Sequence, residues 1–377
     1  MALHVAQLNF FPAPTQLAPA EVFEHWPSLA NISELIASAG TRVSVVLAAG
    51  RTAHVRRNEV DYYFVDVAGA DTPASRSQHY AKVLRDIQPD VLHAHGLGFA
   101  EDAYAVSQRM PQLPMLLQDH ADRPPRWWRR TRWRNCYAPM AGVVFTARAL
   151  AQPFIDRRMF GPATRLFAIP ESSNRFVPGD RERARAATGM HGEPCVLWVG
   201  HLNDGKDPLT VLEGVAGAVE RLPGLQLWCA FGDAPLLAEV QQRIARDPRL
   251  AGRVHLLGRL PHAKIELSMQ AADLFVAGSH AESCGYALME ALACGVAPVV
   301  TDIPSFRALT ADGRVGSLWP CGDAARLTES LLQVATNSPS RQQVRAHFDA
   351  TLSFAAVGRQ WAEAYAQVLD DRRQNAA

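Results

Sequence analysis

Short apolar runs alternate with amphipathic stretches along the chain, and this alternation limits the possible fold more than any other feature. In the first half the runs that predict strands are Leu3–Phe10, Val43–Ala48, Tyr62–Val67, Val91–His95, Met115–Gln118, Val143–Thr146 and Leu166–Ile169. In the second half they are Val196–Val199, Leu225–Ala230, Val254–Leu257, Leu274–Ala277, Val299–Thr301 and Ser317–Trp319. Helical periodicity lies between them, for instance in Val22–Ala39, Ser75–Ile87, Leu209–Arg221 and Leu236–Ala245. Because such alternation with few hairpin signals is typical of parallel sheets covered on both faces, we predict an α/β fold with doubly wound sheets.

The alternation is interrupted once, by the Pro-, Gly- and charge-rich stretch Val177–Arg183, and then restarts. We therefore predict two Rossmann-like domains, residues 1–177 and residues 178–353, followed by a closing helix in residues 354–377 that packs toward the first domain. Ligands of doubly wound sheets bind beyond the carboxyl ends of the strands. If the two domains face each other, we expect the active site in the cleft between them.

Composition excludes several classes of protein. Hydrophobic residues make up 48% of the 377 residues and the net charge is +1, which fits a globular protein and disfavours bulk nucleic-acid binding. No apolar run approaches the roughly 20 residues of a membrane-spanning helix, and the N-terminus lacks a basic signal-peptide region. We expect a cytoplasmic protein, with peripheral contact at the inner face of a membrane left open. The six cysteines lack zinc-ligand spacing, which predicts reduced core thiols.

One segment of the second half has the pattern of an anion site. Leu274–Ala277 predicts a strand, Gly278–Gly285 a polar loop and Tyr286–Cys294 a helix, with Gly295 in the position that ends many helices. The loop would bring the positive end of that helix, with its unpaired amides, to the carboxyl edge of a parallel sheet. Such an end is suited to phosphate.

Two glutamates flank this predicted helix terminus. Glu290 lies inside the helix, on the order of 8 Å from its first amides by helix geometry, and Glu282 lies in the loop before it. Carboxylate oxygens are strong acceptors for hydroxyl groups. A nucleotide sugar carries hydroxyl pairs on both sides of a diphosphate, so the pattern predicts a nucleotide-sugar site.

The same residues resemble a known family. Glu282–Glu290 is similar to the E-x7-E signature of glycosyltransferase family 4, a group of retaining enzymes with the GT-B fold. Further similar stretches are the phosphate-binding loop Val199–Pro208, the turn Phe231–Leu236, the nucleobase-side loop Val254–Pro261 and the strand Gln88–Gly96. The resemblance covers most of residues 85–335 and is thin over the first eighty.

The resemblance implies roles for individual residues. Glu290 would bind the donor ribose, Glu282 the transferred sugar, and Lys206 the departing diphosphate, while His120 would lie against the sugar near its anomeric centre. In the family picture the donor phosphate takes the acceptor's proton, so no protein nucleophile is required. The main chain of Ser283, Cys284, Gly285 and Tyr286 would bind the sugar and phosphate together with Glu282. The remaining donor contacts implied are Gly200, His201, Arg259 and Leu260.

The chain also departs from the family pattern. The family commonly has arginine after the glycine of the phosphate loop, where this chain has His201. A neutral histidine supplies one hydrogen bond and no fixed charge, so either Lys206 would carry more of the diphosphate or donor binding would be weaker. The glycine pair of the family's first loop is replaced by Phe10–Gln16. No Asp-x-Asp pair occurs in the chain. This absence predicts a reaction without a metal or other cofactor, in which a lysine and a helix terminus stabilise the charge of the diphosphate instead.

Simpler interpretations compete for single residues. Lys206 alone would be a solvated lysine, Glu290 an exposed helix carboxylate, and His120 a strand-end residue that caps backbone. His93 and His95 are two apart on one strand, hence on one face, where a metal pair would need further ligands that the nearby sequence lacks. We expect both near the end of the strand and the cleft, with His95 close to the acceptor.

The run Arg123–Arg134 is the most unusual in the chain. Arginine interleaved with tryptophan suits an anionic membrane surface or stacking on a sugar acceptor, with Arg126, Trp127 and Trp128 as candidates. Single-stranded nucleic acid also fits, although the neutral net charge opposes it. The simplest interpretation is an exposed loop that leads into a helix, with its tryptophans packed inward.

Taken together, the sequence predicts a retaining, metal-independent hexosyltransferase. It would use a UDP- or GDP-sugar and a saccharide, lipid-linked or small-molecule acceptor in glycan or glycoconjugate synthesis. Two alternatives stay open at this point. One is a degenerate nucleotide-sugar-binding regulator, favoured by the missing arginine and glycine pair, and the other is a nucleotide-sugar epimerase on the same fold.

Overall fold

A computed structural model describes residues 2–376; Met1 and Ala377, the ends of the predicted first domain and closing helix, lie outside the described residues. Contacts divide the chain into two compact units. The first contains residues 2–173 and 354–376, and the second contains residues 174–353. The sequence placed the change of domain at 177/178, a few residues further along.

The first unit is built on one large sheet. Its strands are β1 His4–Asn9, β2 Arg42–Ala49, β3 Ala53–Arg57, β4 Val60–Asp66, β5 Val91–His95, β6 Met115–Gln118, β7 Gly142–Phe145 and β8 Arg165–Ala168. Its helices before residue 173 are α1 Val22–His25, α2 Pro27–Ala37, α3 Pro73–Ile87, α4 Ala100–Arg109, α5 Arg130–Tyr137 and α6 Gln152–Ile155. Short 3-10 turns lie at Leu97–Phe99, Trp127–Arg129 and Arg148–Ala151.

The second unit repeats the plan on a smaller sheet. Its strands are β9 Cys195–Gly200, β10 Gln226–Phe231, β11 Val254–Gly258, β12 Leu274–Ala277, β13 Ala297–Thr301 and β14 Ser317–Trp319. Its helices are α7 Arg181–Thr188, α8 Pro208–Val219, α9 Leu237–Arg246, α10 His262–Ala271, α11 Tyr286–Ala293, α12 Pro304–Leu309, α13 Ala324–Thr336 and α14 Arg341–Thr351. The last helix, α15 Phe354–Ala376, returns to the first unit.

Both sheets are doubly wound. The first has the strand order β3-β4-β2-β1-β5-β6-β7-β8 and the second β11-β10-β9-β12-β13-β14. Within the described chain, all the pairings of the named strands are parallel except that of β3 with β4. This confirms the predicted α/β class. The order reverses between β1 and β5 and again between β9 and β12, and ligands of open sheets bind at such switch points.

Two local predictions are wrong. The predicted helix Val22–Ala39 is two helices, because Trp26 leaves the helical region (φ −123°, ψ 73°) directly before a proline, which disfavours helical geometry in its predecessor. Strand β3 was missed. It pairs with β4 through a turn in which Asn58 and Glu59 have positive φ, and no glycine marks that turn in the sequence.

Helix α15 packs on the first sheet through aromatic residues. The Trp361 ring stacks on His93 with centroids 4.4 Å apart, and the Tyr365 hydroxyl lies 2.7 Å from His93 Nδ1. His93 is fully buried there and burial lowers its pKa to about 3, so its side chain does not reach solvent. The six cysteines are free, as predicted, but Cys321 is exposed rather than in the core.

Candidate active site

A cavity of about 450 Å³ opens at the carboxyl edge of the second sheet. Gly200, Phe231 and Ala277, the last residues of β9, β10 and β12, line it. The strand order reverses between β9 and β12, so the cavity lies at the switch point where doubly wound sheets bind ligands.

The start of α11 forms one wall of this cavity. Gly285 precedes the helix with φ +65°, and a Cβ there would meet the Phe306 ring at 2.9 Å, so both backbone geometry and space require glycine. Gly285 and Tyr286 line the cavity. The first amides of an α-helix have no acceptor within the helix and carry its positive end, which attracts anions. The predicted strand, loop and helix are all present around this point.

Glu290 lies in the second turn of α11 and also lines the cavity. Its side chain is only 11% exposed, so it is not the exposed helix carboxylate of the simpler interpretation. His262 Nε2 donates to Glu290 Oε1 over 3.1 Å. That hydrogen bond raises the pKa of His262 despite the opposing effect of burial. The histidine holds one carboxylate oxygen and thereby orients the group at the cavity wall.

Lys206 and Glu282 meet directly in the same cavity. The Lys206 ammonium forms an ion pair with Glu282 Oε1, and Ser279 Oγ donates to the same oxygen over 2.7 Å. Both charged side chains are mostly buried and both line the cavity. The sequence predicted both residues at the site but missed the ion pair between them and the supporting Ser279.

His201 and Arg259 stand at a more open part of the cavity. The Asp233 backbone amide donates to His201 Nδ1 over 3.0 Å, so the neutral ring carries its proton on Nε2. The Arg259 guanidinium lies 3.5 Å from the Asp233 carboxylate. Arg259 therefore brings a fixed charge to the same cavity as His201, the residue at which the sequence lacks the arginine of the family that it resembles.

The structure brings most of the predicted donor residues into one cavity. Those that line it are Gly200, His201, Lys206, Arg259, Leu260, Glu282, Gly285, Tyr286 and Glu290. Ser283 and Cys284 are not among the lining residues, and the Cys284 side chain is buried in the core under the loop. The contact implied for these two residues is through their main chain, so the burial of the Cys284 side chain does not decide it.

A second, separate cavity of about 280 Å³ lies in the first unit. It is lined by Asn9 and His95, the last residues of β1 and β5, so it too lies at a switch point. The predicted His120 lines it together with Asp122 and Glu171, which the sequence did not single out. The Asp122 carboxylate holds the loop by accepting from the Leu97 and Gly98 amides, among others.

Three of these residues form a hydrogen-bonded chain. His120 Nδ1 donates to Glu171 Oε1 over 2.7 Å, and His120 Nε2 lies 3.1 Å from His95 Nδ1. Burial acts to lower the pKa of His120, but the bond to Glu171 and the nearby carboxylates outweigh it and raise the pKa. For His95, burial and the two neighbouring histidines lower the pKa well below its usual value. The hydrogen bonds therefore join His120, which keeps its second proton to higher pH than usual, to His95, which is neutral.

Arg126, Trp127 and Trp128 are not among the residues that line either cavity. Trp127 and Trp128 are exposed, whereas Trp133 is buried. The interpretation with inward-packed tryptophans is thus wrong for the first two and right for the third. Across residues 2–376 no His, Cys, Asp and Glu side chains are grouped to hold a metal ion. Over the same residues no helix is long and apolar enough to cross a bilayer.

Solved structures share the whole architecture. Sucrose-phosphate synthase from Thermosynechococcus elongatus superposes with a TM-score of 0.71 at 15% identity, covering 98% of this chain and all of that one. It is a GT-B glycosyltransferase. The fold is GT-B. Anabaena Alr3699/HepE, solved with UDP and glucose, superposes with a TM-score of 0.69 at 17% identity over 97% of this chain and all of its own. At these identities the likeness establishes the GT-B fold alone.

Sequence comparison adds a family model that matches the second unit. Residues 180–347 match the family model described as glycosyl transferases group 1. The phosphatidyl-myo-inositol mannosyltransferase of Mycobacterium tuberculosis is 31% identical over 175 residues, which are 44% of this GT-B chain and 45% of the mannosyltransferase. The matches thus span less than half of the length of such curated relatives. Fold and family model together support a GT-B glycosyltransferase.

Proposed function

We propose that the chain is a retaining glycosyltransferase that transfers a hexose from a UDP- or GDP-sugar to a saccharide, lipid-linked or small-molecule acceptor. One observation carries this proposal. The cavity at the second switch point combines a helix N-terminus, a lysine and two carboxylates, which together match a diphosphate between two hydroxyl-bearing sugars. The solved HepE complexes with UDP and with UDP-glucose support a nucleotide-sugar donor for this fold.

On the donor side, Glu290 is proposed to accept from the ribose hydroxyls. Its carboxylate is largely withdrawn from water and one oxygen is already held by His262, so the other oxygen stays directed without further loss of side-chain freedom. A hydrogen bond to a charged acceptor is stronger than one between neutral groups. Leu260 and Arg259, at the end of the loop after β11, would contact the nucleobase side.

We propose that the diphosphate of the donor replaces Glu282 as the ionic partner of Lys206. Lys206 is paired with Glu282 before a donor enters, so the cavity keeps a balanced charge. When the diphosphate binds beside the α11 terminus, Lys206 neutralises it and assists its departure in the transition state. Glu282, still held by Ser279, would then accept from hydroxyls of the transferred sugar.

The acceptor is proposed to bind in the first-unit cavity. His95 is neutral there and can accept or donate one hydrogen bond to a hydroxyl group. His120 would act at the transferred sugar, the role that the family resemblance gives it, with Glu171 orienting its ring. The acceptor's proton would pass to the departing diphosphate, without a protein nucleophile, metal or cofactor. The name of the mycobacterial mannosyltransferase supports a lipid-linked or cyclitol acceptor among the options.

Turnover of a donor panel tests this function. Purified protein is incubated with UDP- and GDP-hexoses and an acceptor mixture in EDTA, and the release of nucleoside diphosphate is followed with the anomeric configuration of the product. We expect transfer with retention from one donor class. Lys206→Ala should abolish turnover, whereas Lys264→Ala, an exposed lysine of α10, should retain it. Binding without turnover, or a changed nucleotide sugar formed without acceptor, would replace the proposal by the regulator or the epimerase.

A further inference from the structure

The segment 123–134, which we name the arginine–tryptophan surface, concentrates positive charge. It holds six arginines and no Asp or Glu. Because the chain has 38 Lys and Arg and 37 Asp and Glu in total, the rest keeps 32 basic residues against 37 acidic ones. The near-neutral chain is therefore polarised, with a basic surface on a protein that is acidic elsewhere.

The fold presents this surface rigidly. Helix α5 is anchored by Trp133 and Tyr137, which are buried, and the Tyr137 hydroxyl donates to the Leu97 carbonyl over 2.8 Å. The 3-10 turn Trp127–Arg129 precedes that helix and buries none of its residues. Because Trp133 is anchored inward, the turn before it holds Trp127 and Trp128 toward solvent.

Trp127 and Trp128 are exposed to 73% and 57%. Their rings stand nearly perpendicular, with centroids 5.7 Å apart and an angle of 89°. The Arg126 guanidinium lies 5.4 Å from the centre of the Trp128 ring. Large apolar rings in water need an explanation, and tryptophan beside cationic side chains is typical of the boundary between lipid headgroups and acyl chains.

The arginines of the surface are largely unneutralised. Within residues 2–376 no carboxylate pairs with Arg126, Arg129 or Arg130. Arg132 binds Glu101, and Arg134 donates to the main-chain carbonyls of residues 157 and 158, both of them arginines that add to the local charge. Unpaired arginines beside exposed tryptophans favour a partner that has anionic groups next to an apolar layer.

We propose that the arginine–tryptophan surface docks the protein on a bilayer that contains anionic phospholipid. The arginines bind lipid phosphates and the two indoles enter the headgroup layer. Single-stranded nucleic acid fits less well. Perpendicular rings do not form a platform on which successive bases stack. The docking does not involve the donor site. A failed test of vesicle binding would therefore leave the proposed transferase activity untouched, and the reverse also holds.

Vesicle co-sedimentation of the full chain tests the docking. Vesicles of phosphatidylcholine alone are compared with vesicles that also contain phosphatidylglycerol. We expect binding only to the anionic vesicles, with the bound fraction falling sharply between about 0.1 M and about 1 M salt as the charges are screened. The triple variant Arg126→Gln, Arg129→Gln and Arg130→Gln should bind on the order of a hundredfold more weakly, about fivefold for each charge. Trp127→Ala with Trp128→Ala should cost roughly tenfold or more even though the charge is kept.

Controls separate docking from misfolding and from general charge. The double variant Arg221→Gln and Arg246→Gln removes exposed arginines of the second unit and should bind vesicles like the wild type. The variants replace exposed side chains except for Arg130, which is partly buried, and all of them should melt close to the wild-type temperature. Equal binding to both vesicle types, no binding to either, or equal losses in the control variant would overturn the proposal. A preference for single-stranded RNA over anionic vesicles would overturn it in favour of a nucleic-acid surface.

Discussion

Replacing Glu290 by alanine should weaken the binding of the donor nucleotide while leaving the fold intact. The Glu290 side chain is 11% exposed, lines the cavity and has one oxygen held by His262. Hydrogen bonds to a charged group contribute about 1.5–3 kcal/mol each. The loss of the contact with the ribose should therefore weaken binding roughly 10- to 150-fold, which corresponds to about 1.5–3 kcal/mol. Glu290→Gln keeps an acceptor without the charge and should lose less.

Calorimetry with UDP, GDP and their 2′-deoxy analogues measures this contact directly. In the wild type, removing the ribose hydroxyl should weaken binding strongly. In Glu290→Ala the same removal should cost less than about twofold, because the partner of that hydroxyl is already absent and the two changes are not additive. A full loss in both proteins would refute the ribose assignment, even if Glu290→Ala binds weakly for another reason.

Two control variants sharpen the result. Glu213→Ala removes an exposed carboxylate from α8 and should bind nucleotides like the wild type. His262→Ala removes the group that orients Glu290, and since its side chain is 72% exposed the fold should tolerate the change. We expect a loss smaller than that of Glu290→Ala. A larger loss would mean that His262, and not the carboxylate, is the main ribose contact.

Three further outcomes are expected. Glu282→Gln frees Lys206 from its ion pair and should tighten nucleoside diphosphate binding several-fold while slowing turnover. Weaker binding in calorimetry would contradict the proposal that the diphosphate replaces Glu282 at Lys206. Glu171→Gln removes a carboxylate that raises the pKa of His120, so the ring should lose its proton at lower pH and the pH–rate profile should shift to lower pH. An unmoved profile would exclude His120 from the titration. Trp361→Ala should lower the free energy of unfolding by about 3–5 kcal/mol in urea titration, and a loss below about 1 kcal/mol would contradict the tight packing of α15.

The sequence predicts the sheets well because buried parallel strands are almost wholly apolar. Val91–His95, Met115–Gln118 and Leu274–Ala277 have the same bounds in the structure as in the prediction. Strand β3 was missed for the opposite reason. It pairs antiparallel at the sheet edge, its side chains are partly exposed, and its residues are mostly polar, so no apolar run marks it.

The donor cavity could be predicted to a similar extent. Its residues lie in strand ends and one helix start, where a local pattern fixes position. Nine of the eleven donor residues predicted from the sequence line it. The Lys206–Glu282 ion pair was beyond prediction, since its partners are 76 residues apart and meet only through the order of the strands. Glu171 was missed likewise, because it meets His120 from a loop 51 residues away that has no motif around it.

The central claim is that the second-unit cavity binds a nucleoside diphosphate, and thermal unfolding against a nucleotide panel tests it most directly. UDP or GDP and the corresponding sugars should raise the melting temperature, the matching monophosphate less, and unrelated nucleotides least. The double variant Lys206→Ala and Glu290→Ala should unfold cooperatively and lose the shift. Absence of any shift in the wild type, or an equal shift in the double variant, would contradict the claim.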